Sequence, residues 1–148
     1  MREHLYRGKR KDNGEWEYGN LYVSHDGKCF ILLYLCSCDS ETLEFSTQAF
    51  EVIPETVGEY TGLKDKNGVR IFEGDILQIK VTNCGECDCE GIGAVIFEVG
   101  NFGINYVRPG GVIEGMDLLS GLTYKPYGNE VSIIGNIHDN RELLEEAT

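Results

Sequence analysis

The residues with the most chemical potential in this chain are its six cysteines, at positions 29, 36, 38, 84, 87 and 89. Cys36-Ser37-Cys38 and Cys84-Gly85-Glu86-Cys87-Asp88-Cys89 carry the spacing from which thiolates chelate zinc. Cys-x2-Cys forms a knuckle, and Cys-x-Cys in an extended strand turns both side chains to one face. Cys36, Cys38, Cys84, Cys87 and Cys89 are therefore the candidate ligands of a structural zinc. Four thiolates would leave no open position for a catalytic water. A redox pair and inert cysteines are the competing readings. Cys29, inside Cys29-Phe30-Ile31-Leu32-Leu33, reads as a small buried hydrophobe. No cofactor is required by any motif.

Catalytic constellations are scarce. The chain has no phosphate-binding Gly-x-x-x-x-Gly-Lys loop and no Gly-x-Ser-x-Gly elbow. Asp65-Lys66-Asn67-Gly68 fails as a calcium loop, because Leu63 and Gly74 stand where acidic ligands belong. His138 beside Asp139, and Glu73 with Asp75 around Gly74, are the only pairs with acid–base character. Each reads more simply as part of a turn. An enzyme would need these two pairs to meet in one pocket.

The net charge is −12, and residues 29–63 hold six carboxylates with no Lys or Arg. So acidic a surface disfavours general duplex binding and suits a partner with a basic face. Arg7, Lys9, Arg10 and Lys11 form a local exception. With Trp16, Tyr18 and Tyr22 nearby, they would make a basic, aromatic hairpin able to hold single-stranded nucleic acid. No apolar run is long enough for a membrane helix, and Met1-Arg2-Glu3-His4 does not open a signal peptide. The expectation is a protein of the bacterial cytoplasm.

The elements that must position these groups are strands. Asn13-Gly14, Asp26-Gly27 and Asn67-Gly68 mark tight hairpins. They divide Tyr6–Arg10, Glu15–Val23, Lys28–Leu35, Glu59–Leu63 and Val69–Phe72. Ile76–Val81, Ala94–Glu98, Phe102–Val107, Leu118–Tyr124 and Val131–Ile134 follow with strand-like alternation. Ser46–Phe50 reads as one helical turn, and Asp139-Asn140-Arg141-Glu142 as the start of a short terminal helix. Pro54 interrupts the strand pattern and suggests a boundary, with units at 1–55 and 56–148. The fold class is all-β.

Ile53–Gly68, continued by Ile71-Phe72-Glu73-Gly74-Asp75-Ile76, resembles the YopX-like family of phage and prophage proteins. Tyr6-Arg7-Gly8-Lys9-Arg10 with Asn13–Trp16 is similar to that family's opening hairpin, and Ile133–Asn140 to its closing motif. The resemblance implies a small N-terminal β unit followed by an SH3-like β-barrel, and the C-terminal helix, too short to stand alone, should dock Leu143 and Leu144 on it. It implies no activity. Arg141 departs from the proline expected there, and Asn83–Glu90 falls in a variable loop, which would make a zinc site particular to this chain. The resulting expectation is a non-enzymatic phage accessory protein whose acidic face binds a host or phage protein. Nucleic-acid binding and an uncharacterised enzyme are the alternatives. Exposed barrel edges also allow a homo-oligomer.

Overall fold

A computed structural model of the chain describes residues 4–38, 43–81, 89–108, 111–118 and 129–146. They form two compact units that divide between Tyr60 and Thr61. Both are built from antiparallel sheet.

The first unit contains β1 (Tyr6–Lys9), β2 (Trp16–Val23), β3 (Cys29–Cys38), β4 (Leu43–Val52) and the start of β5 (Gly58–Lys64). Its strand order is β4-β3-β2-β1-β5. Gly14 and Gly27 adopt φ of 74° and 83° at the two predicted hairpin turns, the left-handed values such turns need. Alternation buries Cys29, Ile31 and Val52, against which Tyr6, Leu21 and Val57 pack. The proline segment forms a single 3-10 turn, Pro54–Thr56, within this unit. There Thr56 is buried, its hydroxyl accepting from the Lys9 amide (2.9 Å) and donating to the Ile53 carbonyl (2.7 Å). The end of β4 also reaches back to the first hairpin, where Arg10 bridges to Val52.

Ser46–Phe50 is strand, not helix. It lies in the middle of β4, in unbroken register with β3 from Cys38↔Leu43 to Cys29↔Val52. Ser, Gln and Ala are weak strand formers, but ten cross-strand partners in β3 outweigh local preference.

In the second unit β5 continues and pairs with β6 (Arg70–Phe72). Then come β7 (Asp75–Val81), β8 (Cys89–Glu98), β9 (Asn101–Arg108), β10 (Gly111–Leu118), β11 (Glu130–Asn136) and a short helix α1 (Glu142–Glu146). The five later strands form a sheet ordered β10-β9-β8-β7-β11. Ile71, Leu77, Ile79, Val95, Ile104 and Val131 make the core of this unit, joined by Leu63, Phe102 and Ile133. Each large aliphatic buried here contributes roughly 1.5–3 kcal/mol. Gly93 is forced by close approach: a Cβ there would lie 2.6 Å from the Asn105 carbonyl oxygen on β9. Helix α1 packs against β8 with Leu143 and Leu144 half-buried.

The all-β class holds, and among the described residues the one α-helix is the short α1. The barrel expected for the second unit is not closed among the described residues, since β10 and β11 end opposite edges of the sheet and do not pair. Strand β10 was not expected; the expected strand Leu118–Tyr124 lies, beyond Leu118, outside the described residues. A register shift interrupts β10 between Ile113 and Asp117, which explains why no clean alternation announces it.

Candidate functional site

The first hairpin gathers most of the residues singled out in the sequence. Pairing of Arg7 with Tyr18 and of Lys9 with Trp16 puts these four on one face of the sheet. Arg7 is only 6% exposed, and its guanidinium carbon stands 4.9 Å from the Trp16 ring centroid. A phosphate approaching this face meets little of Arg7. Arg10, one position past β1, lies on the opposite face. Its guanidinium bonds Asp12 (2.5 Å) and Glu17 (3.3 Å), and its carbon sits 4.3 Å from the Phe50 ring centroid. The hydrogen bond to Asp12 leads the effects that raise the Arg10 pKa above its ordinary value, and the same bond lowers that of Asp12. Lys11 pairs with Glu51 at 2.8 Å.

Together Arg10, Lys11, Asp12, Ala49, Phe50 and Glu51 line an open concavity of about 450 Å³. Its two cations are matched by carboxylates of the same unit, so the notch is polar but internally neutralised.

On the Arg7–Tyr18 face, the residues beyond are aromatic. Tyr22 stands opposite Phe30, and their ring centroids lie 6.3 Å apart. Alternation adds Leu32 and Tyr34 from β3. Tyr18, Tyr22 and Tyr34 are 47%, 52% and 65% exposed. Tyr34 was not singled out in the sequence, where it follows directly on the apolar run Cys29–Leu33.

The second unit brings the two acid–base pairs close. Asn136 on β11 lies opposite Asp75 on β7. The Ile137 amide donates to the Gly74 carbonyl, and the Gly74 amide to the Val95 carbonyl, each at 2.9 Å. His138 Nε2 lies 3.7 Å from where a Gly74 Cβ would stand. The glycine between Glu73 and Asp75 therefore touches the turn that carries His138. The groups are occupied structurally. Asp75 is buried and accepts the Phe72 amide at 2.8 Å. The Asn136 side-chain oxygen accepts the amides of His138 and Asp139, both at 3.0 Å, and its amide donates to the Asp139 carboxylate. This arrangement clamps two turns together.

Asp65 plays a part that its sequence neighbourhood hid. Its carboxylate accepts the amides of Asn67 (2.8 Å) and Val69 (2.9 Å), closing the Asn67-Gly68 turn, and that of Ile133 on β11 (3.4 Å). Burial pushes its pKa up, but the amides of Val69, Asn67 and Ile133 outweigh this, and the net shift is downward. Asp followed by Asn-Gly was the available signal for the turn. Nothing local pointed to Ile133.

Of the candidate zinc ligands, Cys36 and Cys38 belong to β3, opposite Phe45 and Leu43. Cys89 opens β8 opposite Val81. Cys84 and Cys87 lie outside the described residues. Among the described residues no group of three or more His, Cys, Asp or Glu is placed to hold a metal ion. Cys29 is a free, buried thiol in the first core. No helix among the described residues is long and apolar enough to cross a membrane.

These features define an all-β protein of two antiparallel units whose polar clusters chiefly fasten turns. The family model described as "YopX protein" matches residues 5–145, nearly the whole chain. The chain belongs to the YopX family. It is also similar to a solved structure, that of protein EF1440 from Enterococcus faecalis, with 24% sequence identity and a TM-score of 0.61. The match covers 97% of this chain and 99% of that one. At this identity the likeness concerns the fold. No curated protein matches the chain.

Proposed function

We propose that this is a non-enzymatic phage or prophage accessory protein that binds a host or phage protein in the bacterial cytoplasm. The observation that carries the reading is the solvent-facing group Tyr18, Tyr22 and Tyr34 on the first unit's sheet. Exposed aromatics gathered on one face are typical of the centre of a protein interface. The acidic character of the chain favours a partner whose rim is basic. Asp65, Asp75 and Asn136 spend their acceptors on backbone amides, which favours binding over catalysis. The SH3-like architecture implied for the second unit suits a binding role by analogy of fold alone. Any zinc on Cys36, Cys38, Cys84, Cys87 and Cys89 would be a structural staple within this reading.

A nucleic-acid role for Arg7, Lys9, Arg10, Trp16 and Tyr18 has less support. Arg7 is covered, and Arg10 and Lys11 already hold carboxylates. The test is recovery of partners by the tagged chain from induced host cells, beside a Tyr22→Ser/Tyr34→Ser variant of the same fold. A defined protein recovered by the parent and lost from the variant is expected. Nuclease-sensitive recovery would transfer the function to the basic hairpin. Recovery of nothing, or of the same protein by both, would overturn the aromatic-face reading.

A further inference from the structure

Strand β4 is a sheet edge without the usual protection. Among the described residues it pairs with β3 along its length, and on its other side it meets the Lys9–Lys11 segment only at its end, at Glu51 and Val52. Natural sheets guard such edges with Lys, Pro, bulges or brevity. Leu43–Val52 is ten residues long, in unbroken register, and contains no Lys, Arg, Pro or Gly. Its centre, Phe45-Ser46-Thr47-Gln48-Ala49-Phe50, is uncharged, and Ser46 through Ala49 are all exposed.

The hydrogen bonds at the end of β4 show which way its backbone groups point. The Glu51 carbonyl accepts from Lys11, and the Ile53 amide donates to Lys9. Residues 51 and 53 therefore direct their peptide groups away from β3. Alternation along an antiparallel strand directs those of Phe45, Thr47 and Ala49 the same way. No strand among the described residues meets them.

We infer that β4 is a self-pairing edge, through which two copies of this chain join antiparallel into one continuous sheet. A two-fold axis normal to the sheet keeps each face on its own side, so opposing residues must be separated by an even number of positions. The register centred on Thr47 satisfies this. It sets Thr47 against its own copy and Phe45 against Ala49, and the new pairing ends short of Glu51, whose carbonyl Lys11 already holds. Outward-directed peptide groups then meet outward-directed ones and form about six new hydrogen bonds. No carboxylate faces its like, since Glu44 is set opposite Phe50, the residue over which Arg10 stands. Centring on Gln48 instead would set Phe45 against Glu51. A segment of a different protein would have no reason to match this self-complementary, charge-compatible register.

The inference is independent of the aromatic-face reading and is tested by sedimentation velocity of the full chain under reducing conditions. The concentration series should reach the sub-millimolar range. The mass is expected to rise from 16.6 kDa towards its double. Thr47→Lys sets two like charges on the axis and should weaken association at least tenfold, and Ala49→Lys, on the same outward row, should do likewise. Circular dichroism checks that each variant keeps its strands. Val69→Lys, exposed beside the Asn67-Gly68 turn of the second unit, should associate as the parent does. A parent that stays monomeric at every concentration overturns the inference, including one that takes up an extended peptide along β4. So does a dimer indifferent to both edge variants, or one weakened equally by Val69→Lys.

Discussion

The β8–β9 hairpin should be held under strain by one residue, and replacing that residue should stabilise the protein. Glu98 and Asn101 are the last cross-strand pair, so Val99-Gly100 is a two-residue loop. Its φ angles are 51° at Val99 and 79° at Gly100, the pair of positive values that such a loop requires. Glycine adopts them freely, but a β-branched residue does not. The left-handed region costs an ordinary L-residue about 1–2 kcal/mol. Asn is more tolerant, because its short side chain bonds the local backbone. Val99 is 91% exposed, so its replacement gives up almost no burial.

Val99→Asn should therefore stabilise the second unit by about 1 kcal/mol, which for a unit of this size raises Tm by roughly 4–8 °C. Val99→Gly should gain less, because added freedom in the unfolded chain offsets part of the relief. Val69→Asn is a suitable control, being an exposed valine whose φ is not positive. Differential scanning calorimetry under reducing conditions would compare the three with the parent. An unchanged or lowered Tm for Val99→Asn, or an equal gain from Val69→Asn, would refute the reasoning.

Two further substitutions probe the second unit. Asp65→Asn replaces an oxygen that accepts from Ile133 and should cost roughly 1–3 kcal/mol in denaturant unfolding. Because the folded carboxyl titrates below its unfolded value, its contribution is complete above the unfolded pKa and fades as pH falls through the folded one. The gap between parent and variant should accordingly narrow below about pH 4, and a gap that widens there would contradict the hydrogen-bond account. Gly93→Ala forces a methyl group against Asn105 of β9 and should destabilise by about 1–3 kcal/mol, whereas a loss within error would mean that the two strands have room to separate.

The parts of this fold legible in the sequence are those determined within a few residues. Asn13-Gly14, Asp26-Gly27 and Asn67-Gly68 announce their turns because only a few residue types accept positive φ cheaply. Ile76–Val81 announces β7 by alternation. What stayed hidden depends on distant partners. Ser46–Phe50 becomes a strand only because β3 lies beside it, and Val99-Gly100 turns with a residue that no turn preference would choose.

The same holds for the candidate site. The basic and aromatic residues of the first hairpin were visible as a group, and the β1–β2 register explains their common face. Arg10 finds its carboxylates locally, in Asp12 and Glu17, but the neutralisation of Lys11 was not visible, because Glu51 comes to it from forty residues downstream. His138 and Glu73-Gly74-Asp75 could be named from sequence, but their proximity depends on the pairing of β11 with β7.

That pairing also imposes an order on synthesis. The first unit's strands find their partners within the first sixty residues, through successive hairpins and the return of β5 to β1. The second unit has to wait. Its β7 edge is completed by Glu130–Asn136, and the amide that finishes the Asp65 clamp belongs to Ile133, 68 residues later in the chain. A nascent chain can thus carry a finished first unit while Leu77 and Ile79, on a strand still lacking one neighbour, stay accessible until Glu130–Asn136 has been made. Shortening the chain from its C-terminal end should be far more damaging than the modest size of β11 suggests. It would leave in the cell a species with an open apolar strand and a folded companion to keep it in solution long enough to associate.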